Sequence, residues 1–230
     1  MTIPNLASST DVIAGDLPVE EHQPWHPSPW CTSLGKRIFD VVLATLLLIA
    51  ALPFMLLAAL AVLTSPGPLF FASERVGQGH KRIRVLKFRT MFHRMELGIE
   101  LTRRGDVRIT RAGQFLRDWK VDELPQLFNV VRGDMSLIGP RPDSEEFVNT
   151  LPPSFRAALA SIRPGITGVA SMLFRNEEDL LGRIPRSQLT SYYVNTLLPE
   201  KVRLDLEYAH HATMFSDIKL LFETLLAVVR

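Results

Sequence analysis

One cysteine in the whole chain, Cys31, rules out an internal disulfide framework and fits a reducing compartment. It lies in a proline-rich stretch, which makes it incidental rather than catalytic. Excess charge is missing too. The 26 Lys and Arg stand against 24 Asp and Glu, a net +2, and basic residues do not alternate with aromatic ones, so nucleic acid is no partner. No internal repeat divides the 230 residues, a length that allows one catalytic domain with its own core plus appendages. No secretory signal is read at the start, because the basic pair Lys36-Arg37 and the apolar run behind it come too late. The longest absence is of charge itself, from Val41 to Ser73.

Within that stretch VVLATLLLIAALPFMLLAALAVL is almost wholly apolar, more uniform than a buried core helix, and a bilayer is its better solvent. A simple span of about 20 residues would fit. Two features oppose it. Pro53 sits at the centre, where it removes one backbone bond and favours a kink or break. Basic residues flank both ends: Lys36 and Arg37 before, then Arg75, Lys81, Arg82, Arg84, Lys87, Arg89 and Arg94 after. Positive charge prefers the cytoplasmic side. About twelve residues on each side of Pro53 reach only about 18 Å, short of a ~30 Å hydrocarbon core. The expectation is a re-entrant helical hairpin, residues 34–66, that enters one leaflet and returns. A kinked full span is the competing reading.

Residues 1–33 read as a disordered Pro-rich tail: HQPWHPSPW has neither helical nor strand period, and Trp25 and Trp30 suit a membrane interface. Residues 67–230 read as a cytosolic catalytic domain. LFFASERVG and RIRVLKFRTM form a predicted two-stranded hairpin around GQGH. Predicted helices run from a Thr110 cap to Trp119 and from Asp122 to about Val131, with Gly133 as the stop. A loop GDMSLIGPRP leads into SFRAALASI, RPGITG and a polar connector FRNEEDLLGR. The last helix, SDIKLLFETLLAVVR, takes Ser216 as its cap and puts Ile218, Leu221, Phe222, Leu225, Leu226 and Val229 at helical spacing. The fold class is α+β, mainly helical, with a small β-hairpin.

In KVDELPQLFN, Lys120 to Asn129, two adjacent carboxylates precede a proline. Read locally, Asp122 is a helix N-cap accepting N–H bonds that the first turn cannot satisfy, with Pro125 in that turn. Read otherwise, the pair is the chemistry of the protein. His210 and His211 are adjacent, so on a helix they point in different directions and suit a surface rather than a metal.

KRIFD (36–40), the apolar hairpin, SPGPLFF, VLKFRTM, VDELPQLFNVVRGDMSLIGPRP and IRPGITG occur in one order. In that order, from residue 34 to about 230, the chain closely resembles the bacterial sugar transferases, the small monotopic polyprenyl-phosphate phosphoglycosyl transferases. The resemblance implies a monotopic protein on the cytoplasmic face of a bacterial inner membrane. It implies transfer of a phospho-sugar from a UDP-sugar to polyprenyl (undecaprenyl) phosphate with release of UMP. That is the first membrane step of exopolysaccharide, capsule, O-antigen or glycoprotein glycan assembly. The resemblance makes Asp122 the nucleophile that attacks the β-phosphorus and holds the phospho-sugar, with Glu123 its partner, and puts Mg²⁺ on Asp122 and Glu123. A carboxylate is competent for covalent catalysis, and Mg²⁺ takes one or two carboxylates plus substrate phosphates. Matching motifs assign Lys87, Arg89 (KFRTM), Arg117, Arg141 (GPRP), Arg163 (RPG) and Arg175 (FRN) to phosphate or nucleotide, a role that suits arginine forks. Asp217 matches a further carboxylate of the family, and reads equally as a first-turn acid. The implied partners are the UDP-sugar, the polyprenyl phosphate and membrane lipids, with a homo-oligomer left open.

The chain departs from the family in three places. Leu52 stands where a serine often precedes the central proline, Ser171 where Gln is usual, and Phe174 where Gly precedes Arg175-Asn176. The last two bear on sugar-nucleotide contacts. A reading from a different class is a non-catalytic membrane module that binds polyprenyl phosphate or scaffolds a glycan assembly complex. The intact pair with its arginines speaks against it.

Overall fold

The computed structural model describes residues 25–92, 101–103 and 105–229, so the tail through residue 24 and Arg94 of the basic flank lie outside the described residues. A single turn, α1 (Pro29–Thr32), precedes a 30-residue helix, α2 (Leu34–Leu63). Ser33 caps α2, its Oγ accepting the Lys36 N–H at 3.0 Å. The helix runs through Pro53 without interruption, although a break was the expectation there. Proline costs a helix about 3 kcal/mol, and the Leu, Ala and Met residues on both sides have the propensity to carry it.

One stripe of α2 is buried on the rest of the protein: Lys36, Asp40, Ala44, Met55, Ala58 and Val62. Leu46, Ile49, Leu52, Phe54, Leu57 and Leu60 face outward and are exposed. Both ends of the helix are fastened. At the first, Lys36 Nζ lies 2.8 Å from Asp40 and 2.9 Å from Asp217, both buried. Arg37 donates to the Val130 and Val131 carbonyls at 2.6 and 2.9 Å. At the second, buried Arg89 spreads its guanidinium over four backbone carbonyls, those of Val62, Ser65, Pro66 and Pro68, at 2.7–3.2 Å. One of these, Val62, is in the last turn of the helix, where positive charge also meets the negative end of the dipole.

β1 (Phe70–Val76) and β2 (Arg82–Phe88) form the expected antiparallel hairpin, paired from Phe70 with Phe88 to Val76 with Arg82. On β2, Ile83 and Val85 are buried while Arg82 and Arg84 are exposed, the alternation of a strand with one wet face, and at the far end Phe88 is buried on the other face. Then follow α3 (Arg111–Asp118), α4 (Gln126–Arg132), β3 (Ser136–Ile138), α5 (Glu145–Val148) and α6 (Pro153–Ser161). β4 (Gly165–Thr167) pairs in parallel with β3. The chain ends with α7 (Val169–Leu173), α8 (Glu177–Gly182), α9 (Leu189–Tyr192), α10 (Leu198–His211) and α11 (Met214–Val229).

The central core joins α2, β2, α4, β3 and α11 through Ala44, Val85, Val130, Met135, Leu137 and Leu220. A second cluster seats the other half of α2, Met55, Ala58 and Val62, on Phe88 and Leu116. A third fills the helical half, with Phe155, Leu181, Leu189, Leu198 and Leu206.

Three expectations change. Residues 25–33 are not tail: Trp25 packs on the helical cluster, the Ser28 N–H donates to Ala209 at 2.9 Å, and the Trp30 indole donates to Asp217 at 2.9 Å. A carboxylate therefore holds Trp30 where a membrane interface was expected. Ser216 does not cap α11 alone. It exchanges bonds with Thr213, Thr213 N–H to Ser216 Oγ at 2.9 Å and Ser216 N–H to Thr213 Oγ1 at 3.1 Å, which makes Thr213 the cap. The polar connector contains the helix α8.

Candidate active site

The Asp122-Glu123 pair sits in a tight turn, Val121–Glu123, reached through a left-handed Lys120 (φ 54°, ψ 19°). A non-glycine residue there costs about 1–2 kcal/mol, a strain that among the described residues Lys120 shares with His80 of the hairpin turn. Pro125 takes the N-cap position of α4, and no side chain caps that end. Asp122 is thus not the cap that its local sequence suggested. Its Oδ1 is buried and has no hydrogen-bond partner. Gly133, in the left-handed region at φ 102°, ends the helix as expected.

Buried Asn129 fixes α4 against the hairpin. Its Oδ1 accepts the Leu86 N–H at 3.0 Å and its Nδ2 donates to the Arg84 carbonyl at 2.8 Å. That clamp sets the next residue of the strand, Lys87, opposite the pair, and Lys87 Nζ donates to Glu123 Oε1 at 2.8 Å. From the other side Arg141, in the Pro140-Arg141-Pro142 loop after β3, forks onto Glu123 at 2.6 Å (Oε1) and 3.4 Å (Oε2). Arg117 comes from the last turn of α3. Its Nε donates to Thr90 Oγ1 at 2.9 Å and its Nη1 to Glu178 at 2.7 Å. Gly113 permits that approach, because a Cβ there would lie 2.0 Å from the Thr90 carbonyl oxygen.

The two carboxyls titrate apart. Burial, then the charge of Glu123, push Asp122 up to about 6, against the pull of Lys87, Arg117 and Lys120. Burial also raises Glu123, but the charges and hydrogen bonds of Arg141 and Lys87 overcome it and hold that carboxyl well below the usual range. Arg141 is in turn raised by Glu123. The arrangement is one committed anion between two cations beside one carboxylate with an open lone pair, a geometry suited to covalent work at an electrophile.

Asp122, Glu123, Lys87, Arg141 and Arg117 therefore come together. Arg175 lies half-buried between α7 and α8 without an ion pair among the described residues. Arg89, Arg163 and Asp217 are elsewhere. Arg89 caps α2, Arg163 donates to the Gly133 carbonyl at 3.2 Å, and Asp217 accepts from Lys36, Trp30 and Tyr208. Sequence reading missed two residues of α10. Lys201 reaches Glu177 at 2.8 Å, and Asp205 accepts the N–H groups of Ala170 and Arg141. Burial pushes the Asp205 carboxyl up to about 6, against the pull of the Ala170 and Arg141 N–H groups and Lys201. The signal was present: a Lys and an Asp four residues apart among Leu198, Val202, Leu206 and Ala209, the apolar stripe of that helix.

As for a metal, no group of three or more His, Cys, Asp or Glu that could hold one occurs among the described residues. Asp122 Oδ1 is open to a cation, whereas Glu123 Oε1 is already shared by Lys87 and Arg141. The set fits a Mg²⁺ held by one or two carboxylates and completed by substrate oxygens.

The model of the bacterial sugar transferase family matches residues 31–230. A UDP-glucose:undecaprenyl-phosphate glucose-1-phosphate transferase of Caulobacter vibrioides is 39% identical over 197 residues, 83% of this chain and 68% of the relative. One of the same name from Escherichia coli is 38% identical over 197 residues, 83% of this chain but 39% of the relative. The exopolysaccharide production protein ExoY of Sinorhizobium fredii is 32% identical over 212 residues, 85% of each chain. Against an N-acetylgalactosaminephosphotransferase of Aeromonas hydrophila and a glucose phosphotransferase of Komagataeibacter xylinus, the chain spans less than half of the relative, 45% and 35%.

Proposed function

The chain belongs to the bacterial sugar transferase family, and from that premise we propose that it transfers a phospho-sugar from a UDP-sugar to polyprenyl phosphate in two steps. In the first, the Asp122 carboxylate attacks the β-phosphorus. A new carboxylate oxygen–phosphorus bond forms, the bond to the bridging oxygen breaks, and UMP leaves with that electron pair. In the second, an oxygen of the lipid phosphate attacks the same phosphorus and frees the Asp122 carboxylate, giving the polyprenyl diphosphate sugar. The observation that carries the reading is the asymmetry of the pair: Asp122 buried with an unpartnered oxygen, Glu123 neutralised by Lys87 and Arg141.

Glu123, so neutralised, keeps Lys87 and Arg141 in place without adding a full second charge beside the nucleophile. Arg117, held by Thr90 and Glu178, stands ready for donor phosphate or the lipid headgroup. Asp122 and Glu123 would hold a Mg²⁺, which would supply screening of the diphosphate charge.

For the membrane, we propose that both ends of α2 lie on the cytoplasmic face of the inner membrane, the helix dipping into one leaflet without the hairpin break expected at Pro53. The fastening of both ends to one folded body supports this. A ~30 Å hydrocarbon layer cannot separate two ends that bind the same domain through buried charges. Its outward Ile49, Leu52, Phe54 and Leu57 suit acyl chains.

Purified protein incubated with a panel of UDP-sugars, Mg²⁺ and undecaprenyl phosphate should release UMP with at least one donor, and EDTA should stop it. No UMP from any donor would favour a lipid-phosphate-binding module instead.

A further inference from the structure

The loop bearing Arg141 has prolines on both sides, so between residues 140 and 142 only Arg141 retains a backbone N–H. That N–H donates to Asp205 Oδ2 at 3.3 Å. Asp205 Oδ1 accepts the N–H of Ala170, in the first turn of α7, at 2.9 Å. Asp205 is 4% exposed. A buried carboxylate normally answers a cation; this one answers two backbone donors from separate segments that no ladder pairs. Gly168 makes room for it, since a Cβ there would lie 2.8 Å from Asp205 Oδ1 and 2.6 Å from the Gly139 carbonyl oxygen. One turn earlier on α10, Lys201 Nζ lies 3.5 Å from the Tyr193 hydroxyl, which donates to Asp143 at 3.0 Å. The helix α10 thus holds the loop directly at Arg141 and, through Tyr193, at Asp143.

We propose that Asp205 is a positioning residue for phospho-sugar transfer: its carboxylate ties the Arg141 loop to the start of α7 and so fixes where the Arg141 guanidinium meets Glu123. The proposal rests on the transferase reading above. A leucine would fill this core position without desolvating a charge, but would leave both N–H groups unanswered. The Arg141–Glu123 contact is short, 2.6 Å, so a loop shift of an ångström would weaken it and leave Lys87 as the one close cation on Glu123, with more of that charge felt by Asp122. The effect belongs in the chemical step, because Arg141 is committed to Glu123 rather than free for the donor.

The test is a double-mutant cycle on the full chain, reading UMP release, alongside hydrogen exchange of the peptide spanning 139–143. Asp205→Asn keeps the shape and one acceptor. It should lower kcat roughly tenfold while KM for the UDP-sugar stays within about threefold. In an Arg141→Lys background the same change should cost less than about twofold, since the contact it supports is already lost. The 139–143 peptide should exchange faster in Asp205→Asn. Gly168→Ala, which crowds both the Asp205 carboxylate and the Gly139 carbonyl of the same loop, should reproduce the loss of kcat, and carries the kinetics if Asp205→Asn does not fold. An equal loss in both backgrounds, or an unchanged kcat in a folded variant, overturns the proposal. If wild-type protein releases no UMP, the transferase reading fails by itself, and the exchange rate alone then decides whether Asp205 anchors the loop.

Discussion

A carboxylate buried with an unpartnered oxygen weakens a fold, and Asp122 is such a group. Its pKa, raised from 3.8 to about 6, means that the folded chain holds this proton more tightly than the unfolded one. The favourable contribution is therefore complete below about pH 4 and is lost as pH rises through about 6. A shift of about two units corresponds to at most about 3 kcal/mol. Asp122→Asn should abolish turnover, yet in metal-free buffer at pH 8 it should gain up to about 3 kcal/mol in urea denaturation. The gain should shrink towards zero at pH 4, and a gain independent of pH would contradict the assignment. Arg89 makes the opposite case, since its guanidinium is committed to four backbone carbonyls. Arg89→Met should cost about 2–4 kcal/mol of stability and leave KM for the UDP-sugar within about twofold. A tenfold rise in KM at unchanged stability would return Arg89 to the phosphate site. Sequence reading could not separate Arg89 and Arg163 from Arg141. All are guanidinium groups in matching motifs, and only the fold decides whether each meets a carbonyl or a carboxylate.

At the scale of elements, what was legible follows period and length. Alternation of basic and apolar residues from Arg82 to Val85 announces a strand, and the Thr110 cap announces α3. β3 and β4 have three residues each, too few for a period of two to emerge, so Ser136–Ile138 reads as loop. The acids of FRNEEDLLGR hid α8, whose first turn they favour through the dipole. For α2, composition gave the apolar run, but the break expected at Pro53 does not occur, and the fastening of the helix ends required the fold. The topology can be read chemically. In a Cys31→Ser background, single cysteines at exposed Thr32 and Glu74 flank the helix. Both should resist an impermeant maleimide in intact spheroplasts and react once the membrane is opened. Labelling of Thr32→Cys from outside, with Glu74→Cys protected, would mean that α2 spans.

At the scale of the molecule, a soluble nucleotide-sugar and a lipid phosphate have to reach one carboxylate. The outward face of α2 and that of α11, with Phe215 77% exposed beside Ile218, Phe222 and Leu225, give the protein two apolar surfaces for a lipid boundary. The Asp122-Glu123 pair is surrounded by groups from β2, α3 and the loop after β3, so its chemistry depends on the domain as a whole. A covalent intermediate lets the two substrates react in turn, and it makes the account directly testable. Intact mass spectrometry of the protein mixed with its UDP-sugar, without lipid acceptor, should show one added phospho-sugar on the wild type and none on Asp122→Asn, and undecaprenyl phosphate should discharge it. Steady UMP release with no adduct at any time, or an adduct that survives Asp122→Asn, would contradict the assignment of Asp122 as nucleophile.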